Sequence, residues 1–196
     1  MIAVLDYGAG NLRSVQNALE VIAAEFEIVR DAAGLQRGAK MLLPGVGNFG
    51  QMMRALDRLK VREPLKERIS AGVPFLGICL GLQALFERSA EAPDVEGLGV
   101  FDGAVERFAA GARVPHMGWN TVQPVKSSQL LEPGNEPYVY FANSYYVPVC
   151  AATAATCTYT QSFTAVLESG NIFGVQFHPE KSGAAGLDVI RRFAAL

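Results

Sequence analysis

A cysteine set between two glycines, with an apolar strand pattern running into it, is the most chemically suggestive stretch of this 196-residue sequence. In Pro74-Phe75-Leu76-Gly77-Ile78-Cys79-Leu80-Gly81 the strand breaks at Gly-x-Cys-x-Gly into a helix expected to carry Leu82, Leu85 and Phe86. This is the pattern of a nucleophile elbow with a thiol in place of the serine hydroxyl. Glycines two residues before and after the nucleophile remove side chains that would clash in so tight a turn, and the turn lifts the sulfur above the sheet edge. The positive end of a helix opening at Leu80 would favour the thiolate. The ordinary alternative is a small buried core cysteine. It stands for Cys150 and Cys157, which lack the flanking glycines.

A thiol nucleophile wants a general base, and the sequence has two histidines, His116 and His178. In Gly174-Val175-Gln176-Phe177-His178-Pro179-Glu180 an apolar strand ends at proline. Strand alternation would put His178 and Glu180 on one side, where the carboxylate can orient the imidazole and stabilise the imidazolium. His116, between Pro115 and Met117, has no acid nearby in sequence. A third element, Leu42-Leu43-Pro44-Gly45-Val46-Gly47-Asn48-Phe49-Gly50, breaks a strand into a glycine-rich loop. The backbone N–H of Val46 or Gly47, with that of Leu80, would supply two donors to the oxyanion of an acyl-transfer intermediate. A plain strand-to-helix turn is the alternative there.

The segment Asp6-Tyr7-Gly8-Ala9-Gly10-Asn11-Leu12-Arg13, followed by Asp31, imitates a dinucleotide-binding fingerprint. Its third glycine is replaced by Arg13, and GxG alone is a weak signal, so no nicotinamide or flavin site is expected.

These residues need an α/β sheet to position them. Ile2 to Leu5, Phe26 to Val29, Met41 to Leu43 and Pro74 to Ile78 read as strands. Between the first two, Leu12, Val15, Leu19 and Ile22 form one helical face, with Asn11 at the N-cap position. From Gly97 the texture shifts to Val100 to Phe108, Val114 to Val125, Tyr138 to Val149, Thr153 to Thr160 and Ile172 to Phe177, for which antiparallel hairpins are expected. Leu187, Ile190 and Phe193 close the chain as an amphipathic helix. The expected fold is α/β, one domain over residues 1–196, with a mixed, mostly parallel sheet flanked by helices.

Composition excludes several function classes. Half the residues are hydrophobic and 18% are charged, which is ordinary for a globular chain and excludes disorder. The net charge is -2, and the basic residues are scattered from Arg13 to Arg192, so nucleic acid is not an expected partner. Apolar runs such as Ile2 to Leu5 fall far short of the roughly 18 residues of a membrane span. No signal-like pattern opens the sequence, which makes a reducing cytoplasm the expected compartment. Three cysteines without CxxC spacing suggest neither a disulfide framework nor a zinc site.

The cysteine elbow, the Pro-Gly-x-Gly strand end and the His-Pro-Glu ending occur in the order found in the triad, or class I, glutamine amidotransferases, and the resemblance spans nearly the whole chain. It implies a flavodoxin-like core, attack of Cys79 on the side-chain amide of glutamine, and His178 and Glu180 as base and orienter. No metal or organic cofactor is implied. It also places glutamine contacts at Gly47, Gln83, Glu91 and Asn143-Ser144-Tyr145, with Glu91 meeting the substrate ammonium. Asn143 stands where the family usually has histidine; it still donates and accepts hydrogen bonds but transfers no proton.

The longer motifs Asp6 to Val15, Pro115-His116-Met117-Gly118-Trp119-Asn120 and Phe177 to Ser182 resemble the branch of that family serving histidine biosynthesis. Members supply ammonia to a separate (βα)8-barrel cyclase, making imidazole glycerol phosphate and aminoimidazole carboxamide ribonucleotide. A heterodimer is thus implied, with Pro115, His116, Met117, Gly118 and Trp119 as its expected contact segment, since Met and aromatics are enriched at interface cores. Met117 and Trp119 filling the chain's own core is the alternative. Two other classes fit parts of the sequence: a free-standing thiol hydrolase, such as a peptidase or gamma-glutamyl hydrolase, and a noncatalytic nucleotide-binding module.

Overall fold

Apolar runs of four residues become strands with both faces covered. The computed structural model describes residues 1–8 and 11–196, so part of the Asp6 to Arg13 segment, at Ala9 and Gly10, lies outside the described residues. The first half runs β1 (Ile2–Leu5), α1 (Leu12–Val21), β2 (Phe26–Val29), α2 (Ala32–Arg37), β3 (Lys40–Leu43), α3 (Phe49–Arg58), α4 (Arg62–Ser70) and β4 (Phe75–Ile78). A four-residue α5 (Leu80–Gln83) leads to β5 (Phe86–Ser89), β6 (Phe101–Arg107), β7 (His116–Thr121), β8 (Gln123–Pro124), β9 (Tyr138–Asn143) and β10 (Tyr145–Tyr146). The chain closes with β11 (Thr153–Tyr159), β12 (Gln161–Ser169), β13 (Ile172–Val175), a 3-10 turn at Pro179–Lys181, and α6 (Gly183–Ala195).

Eight strands form the main sheet in the order β2-β1-β3-β4-β13-β12-β11-β8. The first five are parallel and the rest antiparallel. Alternate residues of β1 serve opposite layers: Ile2 and Val4 pack with α1 and α6 residues such as Leu19 and Phe193, while Ala3 and Leu5 pack with Phe49 and Leu56 of α3. Burial on both faces is why such strands read as continuous apolar runs rather than alternating ones. The ordered parallel half follows the 2-1-3-4-5 sequence of flavodoxin-like sheets, whose ligands bind at the carboxyl ends of the strands. Leu43 pairs with Gly77 and Ile78 with Val175, so the ends of β3, β4 and β13 lie side by side and converge on one sheet edge.

Several sequence expectations are corrected. The helix after Cys79 stops at Gln83; Phe86 opens β5, because the Leu85 carbonyl accepts from the Val100 and Phe101 N–H groups and draws the chain onto β6. That β5–β6 pair is parallel, and β13 has an antiparallel neighbour on one side and a parallel one on the other, so the second half is not built of antiparallel hairpins alone. Gln161–Ser169, unanticipated, is the nine-residue β12. Asn11 sits at the α1 N-cap without a side-chain cap bond, whereas Asn48 caps α3 through the Gln51 N–H. Asp31, the acid of the imitation fingerprint, caps α2 by accepting from the Gly34 N–H at 2.7 Å.

Candidate active site

The elbow after β4 is strained in the way its sequence requires. Cys79 has φ 53° and ψ -104°, a left-handed-side backbone that a non-glycine residue holds only when its surroundings over-determine it. Its N–H is fixed to the Val175 carbonyl at 2.7 Å. A Cβ on Gly77 would lie 2.4 Å from the Gly81 carbonyl oxygen, and one on Gly81 would lie 2.1 Å from that of Leu43. Both glycines are thus demanded by close backbone approach. With α5 only four residues long, the local field at the sulfur comes from its few free N–H groups rather than from a long aligned helix.

His178 lies beyond β13, at the entrance to the 3-10 turn, so strand alternation does not account for its pairing with Glu180; the turn does. His178 Nδ1 and Glu180 Oε1 are 2.9 Å apart, with both side chains almost completely buried. The turn is clamped from outside: the His178 N–H donates to the Tyr140 carbonyl, and the Ser182 hydroxyl donates to the His178 carbonyl at 2.7 Å. Burial alone would depress the imidazole, but the adjacent Cys79 sulfur and then Glu180 outweigh it and push His178 up to about 10. The ring is thus placed to hold the proton that the Cys79 sulfur gives up.

A cavity of about 230 Å³ opens over these groups, lined by Val46, Gly47, Cys79, Leu80, Gln83, Glu91, Asn143, Ser144, Tyr145 and His178, with Pro115, Ala142 and Lys181 at its remaining walls. It brings together the expected nucleophile, base, oxyanion donors and glutamine contacts; Glu180 stands behind His178. Glu91 also accepts from the Phe49 N–H at 2.7 Å, which ties it to the start of α3. Gln83 Nε2 donates to the Tyr145 carbonyl at 2.9 Å, and Asn143 Nδ2 donates to the same carbonyl at 2.9 Å. Asn143 Oδ1 is buried without a hydrogen-bond partner.

In the oxyanion loop the two glycines have different tasks, and a side chain engages the Val46 peptide. Gly45 packs so closely on the elbow that a Cβ there would sit 2.5 Å from the Gly81 nitrogen, so close backbone approach demands a glycine; Gly47, at φ 99°, carries the left-handed turn. The Val46 N–H lies 3.3 Å from the Tyr7 hydroxyl, which in turn donates to the Val46 carbonyl at 3.3 Å. Tyr7 and Gln176 are site residues that sequence reasoning missed. Gln176 lies just past the end of β13, two residues before His178, and nothing local signals either it or Tyr7.

The Pro115 to Trp119 segment divides. Met117 and Trp119 are exposed, at 66% and 46%, so neither fills the chain's own core, and Trp119 stacks on exposed Tyr138 at 5.8 Å. His116 is corrected as a surface contact: it is buried and stacked between Tyr159 and Phe141, at 4.1 and 5.0 Å. Burial pushes its imidazole down to about 4. The unfolded chain therefore takes up this proton first, so stability is lost as pH falls from about 6.5 toward 4, by up to about 3 kcal/mol from this group. Denaturant melts across that range should show a shallower acid loss in His116→Phe than in the parent; equal slopes would exclude His116 as the source.

Among the described residues no cluster of His, Cys, Asp or Glu is arranged to hold a metal ion, and no helix is long and apolar enough to cross a membrane. All three cysteines are free thiols.

A thiol elbow, a buried His–Glu pair and a polar cavity at the carboxyl ends of a 2-1-3-4-5 sheet define an amidotransferase site of class I, and the chain belongs to the family glutamine amidotransferase class-I, whose model matches residues 3–195. A solved structure described as a glutamine amidotransferase shares the fold, with a TM-score of 0.79 at 20% identity over 100% of this chain and 99% of that one. Within the family, the imidazole glycerol phosphate synthase subunit HisH of Methanothermobacter thermautotrophicus is 49% identical, over 100% of this chain and 98% of its own length. The chloroplastic imidazole glycerol phosphate synthase hisHF of Arabidopsis thaliana is 44% identical over 98% of this chain, which spans 34% of that longer protein.

Proposed function

We propose that the chain is the glutaminase subunit of an imidazole glycerol phosphate synthase: it hydrolyses glutamine through a Cys79 thioester and passes the ammonia to a cyclase. The observation that carries this reading is the single cavity joining Cys79 and His178 to Glu91, Gln83 and the Asn143–Tyr145 segment, in a chain 49% identical to a HisH subunit. Glu91 faces the substrate ammonium, and the unpartnered Asn143 Oδ1 offers an acceptor to a substrate N–H.

The Cys79 thiolate attacks the side-chain carboxamide carbon, and the carbonyl oxygen becomes an oxyanion held by N–H donors of Leu80 and of the Val46-Gly47 loop. The His178 imidazolium gives its proton to the departing nitrogen, the C–N bond breaks, and ammonia leaves a thioester. Neutral His178 then takes a proton from water, whose oxygen attacks the thioester; glutamate departs and the thiolate–imidazolium pair returns. Glu180 holds the ring throughout without receiving the proton. His178→Ala should cut turnover by about 10²- to 10⁴-fold, and Glu180→Gln by less. A fully active His178→Ala in steady-state glutamate assays would remove the base from this scheme.

The partner is a (βα)8-barrel cyclase forming a heterodimer with this chain in the cytoplasm, where three free thiols persist reduced. Ammonia in neutral water is mostly protonated, so transfer across a dry interface keeps it nucleophilic. Pro115, Met117, Gly118 and Trp119, on or beside β7, are the proposed docking strip. The deciding experiment adds purified cyclase to the chain. Glutamate release that rises with cyclase supports the synthase reading. Peptide cleavage without a partner would indicate a free-standing thiol hydrolase, and nucleotide binding without thiol-dependent turnover a binding module.

A further inference from the structure

We infer that Gln176 is a further catalytic residue, its side-chain amide donating to the Cys79 sulfur, and that Gln83 is the positioning residue that fixes the direction of that amide. The inference rests on Cys79 being the nucleophile. Gln176 Nε2 lies 3.6 Å from Cys79 Sγ, in a side chain with no solvent exposure. A buried amide could end on a sulfur merely because its nitrogen and oxygen were interchanged, but here a backbone group excludes that. The Tyr145 carbonyl can only accept, so the Gln83 side chain must present its NH₂ there, at 2.9 Å. The second hydrogen of that NH₂ is then directed to Gln176 Oε1 at 3.1 Å. With its oxygen so engaged, Gln176 has only its NH₂ to offer Cys79. The relay Tyr145–Gln83–Gln176–Cys79 thus has one polarity, set at its far end by the main chain.

The chemistry of this donor differs from that of His178. An amide N–H carries no titratable proton near neutrality, so it stays a donor while the sulfur passes from thiolate to thioester and back. It relays no proton and is not consumed by ammonia release. It stabilises negative charge on the sulfur. Hydrogen bonds to charged groups are among the stronger ones in proteins, though sulfur is a soft acceptor.

The test measures alkylation of Cys79 by iodoacetamide, read by mass spectrometry of the Cys79 peptide, beside steady-state glutamine turnover. Gln176→Met keeps length and burial but removes the donor. It should slow alkylation at neutral pH about tenfold and lower kcat by a similar factor, with KM changed less than about twofold. Gln176→Glu is isosteric and puts an acceptor against the sulfur; its alkylation should be slower still, and it serves if the Met variant fails to fold. Gln83→Met should slow alkylation in the parent yet add nothing in Gln176→Met, the pattern of one residue acting through another. A folded Gln176→Met or Gln176→Glu alkylated within about twofold of the parent rate overturns the inference. Glutamine turnover surviving in Cys79→Ala would instead overturn the nucleophile assignment beneath it, so the two failures are told apart.

Discussion

Cys79→Ala should abolish glutamine hydrolysis yet leave the complex with cyclase able to make product from added ammonium salt. Only the ammonia-producing half-reaction needs the sulfur. The substitution removes a small side chain that is 6% exposed and keeps the elbow backbone, whose strain is held by the Val175 carbonyl and by glycine contacts rather than by the thiol. Assembly should therefore survive. Loss of both activities would mean that the elbow collapsed, and retained glutaminase activity would remove Cys79 from the mechanism. His178 supplies an independent readout: with the sulfur gone, a contributor that raises its imidazole disappears, so its titration by NMR should move down relative to the parent. Cys150→Ala and Cys157→Ala should leave turnover nearly unchanged. Neither residue lines the cavity, and burial pushes the Cys157 thiol up to about 12, which keeps it protonated at neutral pH.

How much of this was legible in the sequence depended on whether the cause was local. The β1, β3 and β4 runs announce themselves because both faces of each are buried, and the elbow glycines because the turn leaves no room for a Cβ. β12 hid for the converse reason: in Gln161–Ser169 five consecutive residues are buried, threonine and alanine among them, so neither alternation nor a strongly apolar run marks it. α4 carries only Leu65 and Ile69 as buried residues, too few to trace a helical face. The His178–Glu180 pair was found through a strand geometry that the chain does not have; a 3-10 turn gave the same proximity. The contacts that escaped entirely join distant positions: Gln176 meets Cys79 across 97 residues and Tyr7 meets Val46 across 39. No pattern within one element encodes such meetings, which arise from the order of strands in the sheet.

The contact between Tyr7 and Val46 bears on the other large effect, the dependence of glutaminase activity on the partner. The isolated chain should hydrolyse glutamine poorly and be activated by the cyclase, most strongly when the cyclase holds its nucleotide ligand. One expected oxyanion donor, the Val46 N–H, is engaged by the Tyr7 hydroxyl, itself 6% exposed. Burial pushes that hydroxyl up to about 12, so at neutral pH it is protonated and can also donate to the Val46 carbonyl. Two polar groups of one residue are thus held by one side chain, while Gly47 supplies the backbone freedom for the Val46 peptide to turn. Absence of a single oxyanion donor typically costs about 100- to 1000-fold in turnover, the scale expected between the free and fully stimulated rates. Tyr7→Phe removes both contacts, each worth about 1 kcal/mol, and should raise the chain-alone rate by about five- to thirtyfold while shrinking the stimulation by cyclase. Rates for the chain alone, with cyclase, and with cyclase plus ligand decide this. Trp119→Ala, measured alongside, should weaken stimulation without altering the unstimulated rate, because its side chain is exposed on β7 outside the cavity. A free chain that already works at the stimulated rate refutes the gate; a Tyr7→Phe variant as slow as the parent assigns the restraint on Val46 to other contacts of the loop.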